Sequence, residues 1–343
     1  MNASSWRLSD ARFLLVLALP LVMLGIVLVD PASVALGAAG SWAVIAAIDT
    51  LWPGAQRSPA PAGRQPALRW LLRLYVPLHL ALLVAGLRAA AGADWPQLAG
   101  LAFGIGFITG SMGITFAHEL GHSRSRVDRA LAWALMASVN YSHFMVEHYR
   151  GHHPRAATRE DPASARPGES LWRFLPRTLT GSFVGAWRLE AQSLRRTGGG
   201  WLSSPLAWCW GLNLGFVLLL ALSGQSRMLA FWLGQCAMAI WLLETVNYIE
   251  HYGLQRTTSA DGKREPFGVH HAWNADHVLS NSVLANLQRH SDHHLRALTP
   301  YSELQALPGP QLPTGYAGSV LLAAVPPLWF AVMKKRLAGL TAG

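Results

Sequence analysis

Nine histidines fall in four short groups whose spacing suits metal ligation. The first is His118-Glu119-Leu120-Gly121-His122, where an i, i+4 interval puts two imidazoles on one helical face. The second, Glu147-His148-Tyr149-Arg150-Gly151-His152-His153, repeats that interval and adds an adjacent ring. The third, Arg289-His290-Ser291-Asp292-His293-His294, sets rings at i, i+3 and i+4, and His251 stands alone in Asn247-Tyr248-Ile249-Glu250-His251-Tyr252-Gly253. Nine imidazoles exceed what one four- to six-coordinate ion can use, so two metals are the simplest count. Neutral imidazole serves iron, copper, zinc and nickel alike, so ligand type alone leaves the metal open. Burying this many imidazoles without ligation would be costly.

The first group also matches the helical His-Glu-x-x-His pattern of zinc proteases, with Glu119 as general base. That reading needs only one further ligand and leaves the other groups unexplained. The chain has 14 histidines, and the five outside the groups are set apart from the ligand set. His79 lies in an apolar run and reads as a bonded interior residue, while His143 could support the second group. His270, His271 and His277 stand near Trp273-Asn274 and read as supporting or surface groups. Metal-bound imidazoles commonly donate their far N–H to a carboxylate, for which Glu119, Glu147, Asp161, Glu250 and Asp292 are the candidates. Each reads equally as an ordinary salt-bridged acid.

Such groups need helices to hold them, and the composition says which kind. The 343 residues are 51% hydrophobic and only 13% charged, which predicts an all-α, polytopic membrane protein of one domain. Apolar runs at 13–29, 32–52, 70–93, 97–118, 205–223 and 228–249 each approach the roughly 20 residues a helix needs to cross a bilayer. Arg7 and Arg12 before the first run resemble a signal peptide, but no small-residue cleavage site follows, and the run reads as an uncleaved span. With the N-terminus inside, only Arg88 and Arg227 of the 28 basic residues lie on the outer side. The N-tail, 53–69, 119–204 and 250–343 then face the cytoplasm, and all four histidine groups emerge there in a helical and loop cap. An apolar stretch at 130–146 contains Asn140, Tyr141, Ser142 and His143, and crossing would part the histidine groups, so it reads as a surface helix. The run at 319–333 is interrupted by Pro326-Pro327 and reads as an interfacial or packed terminal element.

The net charge of +10 is spread between apolar runs and forms no compact basic motif, which argues against nucleic-acid binding. Cys209 and Cys236 are too far apart for a zinc ribbon or an iron–sulfur motif.

At these residues the chain resembles the integral-membrane alkane 1-monooxygenase family, a branch of the group that includes fatty acid desaturases and xylene monooxygenases. The match runs through the histidine groups, 158–166, 247–254 and 287–294, then Leu312-Pro313-Thr314-Gly315-Tyr316 and Pro326-Pro327-Leu328-Trp329. Asn-Tyr-x-Glu-His-Tyr-Gly separates this branch from the desaturases and favours hydroxylation. The resemblance implies a centre of two non-haem irons ligated by His118, His122, His148, His152, His153, His251, His290, His293 and His294. It further implies O2 as co-substrate and hydroxylation of the terminal carbon of n-alkanes. Two electrons would come from a separate rubredoxin, served by an NAD(P)H-dependent reductase, at the cytoplasmic face of a bacterial inner membrane. Ser123 and Lys334-Lys335-Arg336 depart from the family's usual residues without touching a proposed ligand. An alkyl-aromatic hydroxylase, a lipid desaturase and a non-catalytic metal carrier are the alternatives.

An apolar substrate partitions into the bilayer, so a path between the spans is expected. Gly104, Gly106, Gly110, Ser111 and Gly113 permit either close helix approach or a tunnel. Trp52 and Phe107 are candidate walls that limit its depth, or else lipid-facing aromatics. Arg124, Arg126, Arg150, Arg155, Arg159, Arg195 and Arg196 would make the cap positive, for an acidic redox protein or for lipid headgroups.

Overall fold

Apolar runs of this length satisfy their backbone in a bilayer only as helices or closed barrels, and helices are what form. The computed structural model describes residues 8–52 and 66–341; Arg7 and residues 53–65 lie outside the described residues. In chain order the helices begin with α1 (Leu15–Val29), α2 (Val34–Leu51), α3 (Pro66–Gly92), α4 (Trp95–Ile108) and α5 (Ile114–Gly121). Next come α6 (Arg126–Ala137), α7 (Phe144–Glu147), α8 (His153–Arg155), α9 (Leu171–Thr197), α10 (Pro205–Leu222) and α11 (Ser226–His251). The chain closes with α12 (Val278–Val283), α13 (His290–Leu295), α14 (Tyr316–Ala323) and α15 (Pro326–Thr341). No strand forms among the described residues.

Six stretches are long and apolar enough to cross a membrane: Asp10–Val29, Pro31–Leu51, Ala67–Gly92, Trp95–Gly121, Pro205–Leu222 and Ser226–His251. The fourth is α4 and α5 joined through a π-helical turn, Thr109–Gly113, and it starts on a capping box between Asp94 and Gln97. The 130–146 stretch is not among them. It breaks after α6 at Asn140, whose φ is 54°, and resumes as the four residues of α7. α14 and α15 meet at 119° beside Pro326-Pro327, where a straight helix could not continue.

The glycines of span four serve close packing, and Gly110 with Ser111 also lines the cavity between the spans. A Cβ on Gly106 would sit 2.8 Å from the Gln235 carbonyl oxygen, and one on Gly110 would sit 2.7 Å from the Ala239 Cα, so α11 lies directly against this face. His79 is a bonded interior residue: Nε2 meets Ser138 Oγ at 3.1 Å and Nδ1 meets Tyr75 Oη at 3.3 Å, tying α3 to the end of α6. The C-terminal ends of α5 and α11 bring His118 and His251 to the same end of the bundle, where the connecting segments gather around them.

Candidate metal centre

The nine histidines converge, in two sets. His118, His122, His148, His153 and His293 form one, and His152, His251, His290 and His294 the other; within each, one ring nitrogen per residue lies within 4.8 Å of all the rest. The sets abut, with the His153 and His294 rings 4.5 Å apart.

Local helix geometry decides the partition. In an α-helix His148 and His152 would share a face, but His148–His152 is a π-helical turn closed by the His153 N–H on the His148 carbonyl. The wider turn brings His153 round beside His148, with Nε2 atoms 3.0 Å apart, and swings His152 to the other set. The i, i+4 reading of the second group is therefore corrected to i, i+5. In α13 the regular spacing holds: His290 and His294 stay together and His293 points to the five-histidine set.

The nitrogens fit a cation. Two imidazoles on one metal at about 2.1 Å place their nitrogens roughly 2.9–3.4 Å apart. Observed Nε2 separations are 2.9 Å for His118–His293, 3.3 Å for His122–His148 and 3.1 Å for His122–His153. In the other set, His290 lies 3.1 Å from His251 and 3.0 Å from His294. Hydrogen bonds alone cannot satisfy the His122–His148–His153 triangle: of three mutually close nitrogens, two must both donate or both accept. A central cation removes the conflict. Burial, reinforced by neighbouring imidazoles, also holds His122, His148, His153, His290, His293 and His294 well below the ordinary histidine range, in the neutral form a metal requires.

Two rings of the four-histidine set are held from behind by hydrogen bonds, and a third has a carboxylate beside it. Asp161 Oδ2 meets His152 Nδ1 at 2.8 Å and accepts from Ser164 Oγ at 2.6 Å. Burial alone would raise the Asp161 carboxyl, but His152 holds it below the usual carboxylate range. His251 Nδ1 donates to the His271 carbonyl at 3.0 Å, and Glu250 Oε1 lies 3.2 Å from His290 Nδ1. The other expected supports have different partners. Glu119 accepts from the Tyr301 N–H, and Asp292 takes Arg296 and the Gln305 N–H. Glu147, pushed up to about 7 by burial against the pull of Arg155, sits between Gly151 and Gly185.

His143 is buried against Tyr141, Phe183 and Trp210, and neither ring nitrogen has a partner. Burial pushes it down to about 3. An unfolded chain would protonate it near the ordinary value of 6.5, so the unfolded state binds more protons between pH 6.5 and about 3, and stability falls as pH falls through that window. His143→Phe keeps the ring stack and removes two orphan nitrogens. It should flatten the acid side of a melting-temperature-against-pH curve in detergent and leave bound metal unchanged; loss of metal would place His143 in the site after all.

Glu265, His270 and His271 also gather three potential ligands. The Gly268 N–H donates to His271 Nδ1 at 2.8 Å, which leaves the proton on Nε2, 3.5 Å from Glu265 Oε2. That tautomer offers an N–H where a cation needs a lone pair, so His271 meets the site through its carbonyl, which accepts from His251.

A cavity runs from the metal sets between the spans. Its walls are almost wholly apolar, including Leu19, Trp42, Phe107, Ile114, Leu242 and Val320, and it ends on His118, His148 and His290. Phe107 is in this wall. Trp52 is not: it caps the end of α2 and is 79% exposed. Sequence reasoning missed Trp42, which stacks on Phe107 at 5.2 Å, and Tyr316, which also lines the cavity. A polar recess bounded by Arg69, Arg73, Arg124 and Thr299 reaches His122 and shares no wall residue with the apolar cavity. Of the arginines expected to colour the surface, Arg150 and Arg155 are tied to Glu190 and Glu147, whereas Arg124, Arg126, Arg159, Arg195 and Arg196 are exposed.

Known proteins carry the same arrangement of sequence. The fatty acid desaturase family model matches residues 93–318. The chain is 42% identical over 283 residues to alkane 1-monooxygenase 1 of Pseudomonas aeruginosa, covering 78% of this chain and 74% of that one. It is 41% identical over 275 residues to the alkane 1-monooxygenase of Ectopseudomonas oleovorans, covering 78% and 68%. To the hydroxylase component of the xylene/toluene monooxygenase of Pseudomonas putida it is 29% identical over 250 residues, covering 70% and 64%. A multi-pass membrane chain with this likeness across most of its length belongs to the alkane 1-monooxygenase family.

Proposed function

We propose that the chain holds two irons, one in each histidine set, and hydroxylates the terminal carbon of n-alkanes: R–CH3 + O2 + 2e− + 2H+ → R–CH2OH + H2O. The observation that carries this reading is the apolar cavity ending on rings of both sets, His118 and His148 from one and His290 from the other. A terminal C–H bond offers no acidic proton, so an acid or base on the protein cannot open it. Iron, when bound by the nine histidines, supplies the O2 chemistry.

The remaining work falls to the chain's own residues. Trp42, Phe107, Ile114, Leu242 and Val320 exclude water and hold a hydrocarbon chain with its end at the histidines. Asp161 and the His271 carbonyl fix ring orientation, and Glu250 sets a negative charge beside His290. Protons and product water cannot cross the apolar wall; the polar recess at His122 gives them a separate route. We place the histidine sets on the cytoplasmic side of a bacterial inner membrane, from the charge distribution. There the exposed arginines suit a small acidic electron carrier, rubredoxin with its NAD(P)H-dependent reductase.

The purified protein in lipid should contain two irons per chain and convert an n-alkane to the 1-alcohol when given O2, rubredoxin, its reductase and NADH. An alkene product would move the chain to desaturation, preferential oxidation of an aryl methyl group would move it to the xylene-type branch, and one zinc without iron would end the proposal.

A further inference from the structure

We infer that Tyr316 is a positioning residue for one iron only, acting through Glu250 on His290. The inference rests on the di-iron reading above and names a residue in it.

Tyr316 opens α14, with its ring buried in the cavity wall. It is fixed at both ends: its N–H donates to Gln288 Oε1 at 2.8 Å and its phenol donates to Glu250 Oε1 at 2.8 Å. The helix start itself is pinned to α2. The Trp42 indole donates to the Ala317 carbonyl at 2.9 Å, and the Asp49 carboxylate fills the space where a Gly315 side chain would stand. The hydroxyl is thus placed by packing and not by a free loop.

Glu250 is 3% exposed, and its ion-pair partner among the described residues is His290. A buried carboxylate in an apolar wall requires donors. Its Oε1 accepts from the phenol at 2.8 Å and stands 3.2 Å from His290 Nδ1, a charge contact without a hydrogen bond. Nε2 of the same ring faces His251 and His294 at 3.1 and 3.0 Å. The phenol therefore holds the carboxylate's negative charge in place behind His290. With the phenol present, that charge faces Nδ1 and raises the electron density the ring offers at Nε2. Without it, the buried carboxylate loses its donor and with it its charge, and the metal at that position becomes less electron-rich.

The effect is confined to one set. The carboxylate and carbonyl groups described above stand behind His152, His251 and His290, all in the four-histidine set. A change at Tyr316 should be read by the iron there and not by its neighbour.

Tyr316→Phe keeps the ring and removes only the hydroxyl. Wild type and variant, enriched in iron-57 and held in lipid, are compared by Mössbauer spectroscopy, iron content and steady-state kinetics. The expected result is two doublets in the wild type, a shift of one in the variant with iron content unchanged, and about a tenfold fall in kcat with little change in KM for the alkane. Identical spectra and kcat would reduce Tyr316 to a wall of the cavity, and a shift of both doublets would mark a general disturbance; either overturns the inference. A wild type lacking two iron signals would instead overturn the di-iron reading itself.

Discussion

His148→Ala and His290→Ala should each lower alkane turnover by about a thousandfold, equivalent to about 4 kcal/mol of transition-state stabilisation, while removing iron from different positions. His148 belongs to the five-histidine set, where its Nε2 is within 3.3 Å of His122 and 3.0 Å of His153. His290 belongs to the four-histidine set, between His251 and His294. Both rings also line the apolar cavity, so each is placed to touch the substrate end of the centre. Losing one ring leaves four ligands in the first set and three in the second, so His290→Ala should surrender its iron more completely and to weaker chelators. Metal content by mass spectrometry, with turnover measured on the same samples, separates the two. His270→Ala is the control: its side chain is 61% exposed and its partner is Glu265, so neither metal nor turnover should change. Full activity in either cavity-facing variant would refute the ligand assignment.

The nine histidines and the six spans could be read from the chain because both are carried by short-range pattern: runs of apolar residues, and intervals on a helical face. The partition of the histidines could not. It depends on the π-helical turn at His148–His152, and nothing in Glu147-His148-Tyr149-Arg150-Gly151-His152-His153 announces a turn of that width. Supporting carboxylates were half legible for the same reason. Asp161 and Glu250 reach a ring, while Glu119, Glu147 and Asp292 take Tyr301, Arg155 and Arg296, choices made by an element far off in sequence or by an arginine eight or four residues on. Tyr316 stood in a recognised run, Leu312-Pro313-Thr314-Gly315-Tyr316, but its hydroxyl gains meaning only when α14 folds against α11. Trp52 and Trp42 illustrate the limit on a single helix: two tryptophans of α2 and its cap, of which only the one facing α4 and α14 meets the cavity.

Trp42→Leu should shift chain-length preference upward, by roughly fifteenfold in the ratio of kcat/KM for a long alkane to that for one two carbons shorter. Trp42 stacks on Phe107 at 5.2 Å with the rings 21° from parallel, and Phe107 stands about three turns before His118, roughly 16 Å along the span. The pair thus bounds the cavity far from the metal, where the distal end of a chain must lie. Leucine is smaller than tryptophan by about two methylene volumes, and burying two methylenes contributes about 1.6 kcal/mol, which is the stated ratio. The variant also loses the bond from Trp42 Nε1 to the Ala317 carbonyl and some packing, so a lower melting temperature is expected beside the altered preference. Trp52→Leu distinguishes cavity wall from general membrane disturbance. That residue is 79% exposed and off the cavity, so its variant should keep the wild-type profile across a series of n-alkanes. If Trp52→Leu moves the preference and Trp42→Leu does not, the substrate does not occupy the cavity that ends on His118, His148 and His290.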